Sequence, residues 1–352
     1  MTTPVPVLVM RGGTSKGAYF RKEDLPADEA ERDRLLLAIM GSPDPRQIDG
    51  IGGGHPLTSK VAVISRSADG DADVDYLFLQ VQVDKPRVSA EQPCGNILAG
   101  VGPFAIERGL VAVAGETTAV RVRMVNTGAL AVVTVPTPGG RVSYTGATAI
   151  SGVPGTAARI EVEFRDTAGS VAPSLLPTGR VLDDLDGVPA TLIDNGMPVV
   201  LMAAHDLGVT GYETPAQLEA DGRLRRRVEE LRLIAGKMMG LGDVTDTTVP
   251  KMCLVAAPAN GGTLSTRMFI PHRVHASIGV LAAVSVGTAA ALPGSVAFVD
   301  DNPEISIEHP AGFYDVVVDV ATAGDEITVG RSAIVSTARL LLSGQVYPRE
   351  DS

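Results

Sequence analysis

"PCGNILAGVGPFA", residues 93–105, opens on a cysteine at a Pro- and Gly-flanked junction and continues as a run that is apolar on nearly every side. A helix without a polar face has to be enclosed, and the β-rich runs around it point to sheet as the enclosing layer. "VHASIGVLAAVSV", residues 274–286, repeats the pattern 181 positions later. Two further pairs keep the same order: "FRKEDL" at 20–25 with "MAAHDL" at 202–207, and "TSKVAVIS" at 58–65 with "VPKMCLVA" at 249–256, offset by 182 and 191 positions. Three ordered matches near half the chain length indicate an internal duplication, with insertions accounting for the drift.

The rest of the chain agrees. Runs such as "VPVLVMRGG", "VDYLFLQVQV", "ALAVVTVPT", "MPVVLMAA" and "SAIVSTARLLL" are rich in β-branched residues and end at Gly, Pro, Asn or Asp, as strands do. Helices are expected at 27–40, 95–108, 215–239 and 276–291. The second and fourth are apolar all round and belong inside, whereas the other two carry charged faces. The expectation is an α+β fold of two pseudo-symmetric domains, 1–180 and 181–352. Each would be a β-rich unit wrapped around one apolar helix. The two helices would start at a cleft between the domains, where free backbone N–H groups suit a di- or tricarboxylate.

Composition narrows the function. The chain has 352 residues, 45% of them apolar, and a formal net charge of −11. That is ample for packed cores, and without a basic stripe it disfavours nucleic acid or an anionic membrane as partner. A small-molecule enzyme fits better, and a homodimer is compatible with it. Two cysteines make no disulfide framework and agree with a reducing cytoplasm. The opening "MTTPVPVLVMRGG" has no basic stretch, so no secretory leader is expected. Residues 278–292, "IGVLAAVSVGTAAAL", fall short of the roughly 20 needed to span a bilayer.

The chemistry concentrates at few positions. A free cysteine is more often a small core residue, but Cys94 sits at a loop-to-helix junction where the thiol can be tuned and substrate can approach Gly95 and Asn96. Cys253, inside an apolar run, reads as core. Lys60 follows the glycine-rich approach "DGIGGGHPLTSK" with Ser59 beside it. Lysines at strand starts are usually solvated, and one that acts as a base must be desolvated or set beside other cations. Lys251 is its counterpart in the repeat. In "MRGGTSKG" the turn residues Arg11, Ser15 and Lys16 suit a carboxylate or carbonyl, and the spacing of a phosphate loop is absent. "FIPHRVHASIG" adds Arg273, His275 and Ser277. His272 and His275 have the spacing of helical metal ligands, but no further ligand cluster accompanies them, so no metal is expected. No dinucleotide fingerprint occurs and no cofactor is expected.

Together, "MRGGTSKGAYF", "IDGIGGGHPLTSK", "CGNILAGVGPFAIERGL", "DNGMPVV", "VPKM" and "FIPHRVHASIGVLAAVSV" resemble the PrpF-like family of 2-methylaconitate isomerases and 4-oxalomesaconate tautomerases, which has the diaminopimelate epimerase fold. The resemblance runs through essentially the whole chain and implies that each domain is a β-barrel-like sheet around a central buried helix, with the last strand returning to the first domain as in related folds. It implies a cofactor-independent proton shift in which Lys60 and Cys94 are the catalytic pair. Epimerases of this fold use one cysteine from each domain; here the second helix starts "VHASIGV", so two-thiol racemisation is not expected. "MGSPDPRQIDGIGG" with "CGNILAGVGPFA" looks most like the oxalomesaconate tautomerase branch, which implies a place in gallate- or protocatechuate-type aromatic acid breakdown. The alternative substrates are 2-methylaconitate and methylitaconate, and the rival class is a non-catalytic tricarboxylate-binding accessory protein.

Overall fold

A computed structural model describes residues 3–349 apart from Gln92, Asp301 and Asp325. The chain forms two compact units, one running to Glu163 and resuming at Ser336, the other Phe164–Val335. The change of unit comes earlier than the boundary near residue 180 read from the sequence. Residues 169–172 are committed to the second unit by Asp194, whose buried carboxylate accepts from Val171 N and Ala172 N, both at 2.7 Å, while its carbonyl accepts from Gly169 N at 2.8 Å. A carboxylate removed from water needs such donors.

The first unit contains β1 (Val5–Gly12), β2 (Ser15–Arg21), α1 (Glu29–Met40), β3 (Lys60–Arg66), β4 (Val74–Val81), β5 (Val88–Ser89), α2 (Gly95–Leu98), α3 (Val101–Glu107), β6 (Thr117–Met124), β7 (Leu130–Pro136) and β8 (Ile160–Phe164). The second contains β9 (Asp183–Leu185), β10 (Val188–Asp194), β11 (Pro198–Ala203), α4 (Pro215–Ala220), α5 (Gly222–Met238), β12 (Lys251–Ala256), β13 (Leu264–Phe269), α6 (Val280–Ala290), β14 (Glu304–His309), β15 (Gly312–Ala323) and β16 (Glu326–Ser336). The final strand, β17 (Ala338–Val346), pairs antiparallel with β1 and so belongs to the first unit.

The duplication is explicit in the ladders. In the first unit β1–β2 is antiparallel, β2–β3 parallel, β3–β4 antiparallel, β4–β6 parallel and β6–β7 antiparallel. In the second, β10–β11, β11–β12, β12–β13, β13–β14 and β14–β15 follow the same alternation. Parallel neighbours need a crossover, and helices supply it at the same two places in both units. The apolar helix is enclosed each time. α2 touches β1 and β2 and α3 touches β3, β6 and β7, while α6 touches β10, β11, β14 and β15. Contact with strands from both ends of a ladder means the sheet curls around the helix. Glycine permits the closest approach: a Cβ on Gly102 would stand 2.8 Å from Val133 and Val135, and one on Gly287 would run into Val316.

Three expected helices are shorter or broken. The 95–108 run is interrupted at Ala99 and Gly100, so α2 is a single turn; Gly100 leaves room there for the Tyr19 ring, which a Cβ would meet. The 276–291 run becomes helical only at Val280, because Ser277 N is turned to His275 Nδ1 at 2.9 Å. The 215–239 run breaks at Asp221, whose carboxylate accepts from Arg223 N and Leu224 N and caps α5. The 332–342 run, read as one strand, divides at Thr337, where the chain passes back to the first unit. Among the described residues no helix is long and apolar enough to cross a membrane.

Candidate active site

Lys60 is the first residue of β3, between Gly17 of β2 and Gln80 of β4, and is only 8% exposed. Its Nζ donates to Gln80 Oε1 at 2.8 Å and stands 5.0 Å from the centre of the Phe78 ring. Residues 78 and 80 share a face because side chains alternate along a strand. The Gln80 amide is itself fixed, since Nε2 donates to Ser59 O at 2.8 Å and Pro56 O at 3.2 Å. Its oxygen is therefore turned to the lysine. A neutral acceptor orients the amine without the full negative charge that would hold its proton.

Cys94 is half-buried at the N-cap of α2, and its side chain makes no capping bond, which leaves the thiol free of the helix. Two buried tyrosines pin the turn behind it. Tyr76 Oη donates to Cys94 O at 3.3 Å, and Tyr19 Oη donates to Ile97 O at 2.7 Å. Burial first, and then any negative charge that forms on Cys94, pushes both phenols well above their ordinary range, so they remain donors. Gly17 brings this turn to Lys60: a Cβ there would lie 2.7 Å from Lys60 O and 3.1 Å from Ile97 Cδ1. Gly13, at φ 51°, makes a similar approach to Asn96, whose Oδ1 accepts from Thr14 N at 3.4 Å. The "MRGGTSKG" and "CGN" turns are thus packed onto one another beside the lysine.

The remaining sequence candidates divide. Ser15 is 1% exposed and its hydroxyl has no partner, a costly arrangement unless something else fills it. Lys16 is half-buried, and its Nζ lies 3.4 Å from where a Cβ on Gly53 would stand, so the glycine-rich loop reaches the same turn. Arg11 and Ser59, by contrast, serve the frame. Arg11 Nη1 donates to Gly13 O, Thr337 O and Thr337 Oγ1 at 2.9–3.0 Å, which ties the turn to the returning chain. Burial, with Arg339 next, lowers its pKa from the usual guanidinium value. Ser59 is fully buried, accepting from Gln47 Nε2 at 2.7 Å and donating to Val81 O at 2.8 Å.

In the second unit Arg273 is 81% exposed and 3.6 Å from Glu219, an external ion pair worth little. His275 and Ser277 are half-buried and bonded to each other through Ser277 N. His272 and His275 do not share a helix, and His272 lies 3.8 Å from Glu229 instead. Cys253 is fully buried in β12, and burial pushes its thiol up to about 12. Sequence reasoning missed Gln80, Tyr76, Tyr19 and Gln47. Only the alternation of β4 could have marked Phe78 and Gln80 as facing Lys60.

Comparison with known proteins adds to this geometry. The PrpF protein family model matches residues 2–349. Over 348 residues the chain is 58% identical to the (4E)-oxalomesaconate Delta-isomerase of Novosphingobium sp. (strain KA1), covering 97% of both proteins. It is 57% identical over 356 residues to the 4-oxalomesaconate tautomerase of Pseudomonas putida KT2440, covering 99% of this chain and 98% of the relative. The crystal structure of a methylitaconate-delta-isomerase superposes with a TM-score of 0.87 at 34% identity, covering 99% of this chain and 96% of the other.

Proposed function

The chain belongs to the PrpF protein family and is an isomerase, and from that premise we propose that it shifts a proton along 4-oxalomesaconate, without a cofactor, in cytoplasmic breakdown of gallate- or protocatechuate-type acids. The observation that carries the reading is the setting of Lys60: withdrawn from water, faced by an amide and an aromatic ring, and adjoining the pinned turn of Cys94.

A C–H bond next to both a C=C and a carboxylate or keto group is acidified because the carbanion spreads into a dienolate. Neutral Lys60 takes that proton and becomes an ammonium. The electron pair moves along the allylic system, and the Cys94 thiol gives its proton to the far end, so the double bond migrates. The ammonium and thiolate left behind are reset by passing the proton back through solvent. In this reading Ser15 and Lys16, which open β2 directly after the Gly13–Thr14 turn, hold a carboxylate as negative charge spreads; the unpartnered Ser15 hydroxyl supports it. The same pair serves a keto–enol interconversion.

Proton NMR in heavy water tests this. With oxalomesaconate the wild-type enzyme is expected to bring in deuterium and move the double bond. With 2-methylaconitate and methylitaconate, assayed separately, it is expected to be much slower. No exchange in any of the three would sink the reading. Gln80→Glu tests the setting of the lysine: a carboxylate in place of the neutral acceptor stabilises the ammonium over the free amine, so turnover should fall about 10-fold or more. An unchanged rate would remove Gln80 from the mechanism.

A further inference from the structure

One edge of β4 changes partner along its length. Residues 74–76 pair with β6 as far as Tyr76↔Met124, and Val125 N adds a bond to Tyr76 O at 2.9 Å. Farther along, Gln80 and Val81 pair with Ser89 and Val88 of β5. Phe78 lies between these two partners. Its N–H and C=O point the same way as those of Tyr76 and Gln80, because hydrogen-bonding groups alternate along a strand. Phe78 is 3% exposed, so leaving them unpaired would be costly.

The side chain of Asn126 fills the interval. Its Oδ1 accepts from Phe78 N at 2.9 Å and its Nδ2 donates to Phe78 O at 2.9 Å, as the backbone of a neighbouring strand would. The second Nδ2 hydrogen goes to Ala90 O at 2.8 Å, one residue past the end of β5. These partners fix the direction of the amide, since an N–H only donates and the two carbonyls only accept. A turn presents the side chain: Thr127 N and Gly128 N both donate to Met124 O, at 3.1 and 2.8 Å.

What this amide joins decides its use. Tyr76, Phe78 and Gln80 share one face of β4. Tyr76 holds Cys94 O, whereas the Phe78 ring and Gln80 Oε1 receive the Lys60 amine. Asn126 grips the backbone of the middle residue, and its third bond holds Ala90, four positions before Cys94. We propose that Asn126 is a positioning residue for both members of the pair, acting through Phe78 on Lys60 and through Ala90 on Cys94. Among side chains of its length only asparagine offers one acceptor and two donors, so no isosteric replacement can make all three bonds.

The reaction assigned to the pair rests on the function proposed above, so the test has one readout that needs no substrate. In full-length Asn126→Ala the Phe78 amide hydrogen should exchange with solvent about 10-fold faster or more, because its acceptor is gone. The second readout is kinetic. With oxalomesaconate kcat should fall about 100-fold, the scale of an ångström-sized misplacement of reacting groups. KM, and binding of the unreactive saturated tricarboxylate tricarballylate, should stay within about threefold. A role confined to stability would lower Tm and leave kcat of the folded enzyme unchanged. Asn126→Asp keeps the oxygen that faces Phe78 N but sets its other oxygen against two carbonyls, so its kcat should fall at least as far. It replaces the alanine variant if truncation costs the fold. Unchanged exchange at Phe78 in Asn126→Ala, wild-type kcat in the folded variants, or a loss carried by KM alone would overturn the role. Absence of deuterium exchange into oxalomesaconate with the wild type would instead overturn the reaction and leave the Phe78 result standing.

Discussion

Lys60→Met is expected to slow turnover of oxalomesaconate by about 10²–10⁴-fold, the usual contribution of a positioned general base. Methionine keeps a long, flexible and largely apolar side chain against the Phe78 ring, so packing around β3 should survive. Only the amine and its bond to Gln80 Oε1 disappear. The loss should appear in kcat, because the proton is taken in the transition state, and deuterium should no longer enter the carbon that the lysine attacks. A variant that exchanges at the wild-type rate would move the base elsewhere.

Cys94→Ala should show a loss of similar size, about 10²–10⁴-fold, in migration of the double bond. Exchange at the carbon attacked by Lys60 should persist, since the dienolate still forms and is reprotonated where it was made. The turn should remain intact, because Tyr76 and Tyr19 bond to the backbone carbonyls of Cys94 and Ile97 and not to the thiol. The pair of variants therefore separates the two half-reactions. Loss of exchange in Cys94→Ala would reverse the assignment of base and acid.

Much of the fold was legible because the duplicated pattern is written in period and order. Two apolar runs 181 residues apart, each needing enclosure, called for the curled sheets that surround α2–α3 and α6. Helix ends were less visible. The interruption at Gly100 lies against the Tyr19 ring, and α6 starts late beside a bond from Ser277 N to a histidine ring, both contacts outside any local propensity. The site divides in the same way. Lys60 and Cys94 stand in marked contexts, a glycine-rich approach and a helix junction. Gln80 is an unremarkable polar residue on a strand until β4 is paired with β3. For Arg11 and Ser59 sequence shows chemical type but not the bonds that Thr337 makes with the guanidinium Nη1 and Gln47 with the serine hydroxyl.

The return of β17 bears on how the molecule is made. β1 pairs with it from Val5↔Val346 to Gly12↔Ala338, among the longest sequence separations a contact in this chain can have. On the ribosome, the first unit waits with one flank of β1 unpaired until more than 330 residues have been synthesised, while the uninterrupted second unit can close as soon as it emerges. The later-synthesised unit is thus free to mature first. During that interval β1 is an open edge of the kind that recruits stray strands, which makes nascent chains stalled before residue 338 the species most in need of chaperones.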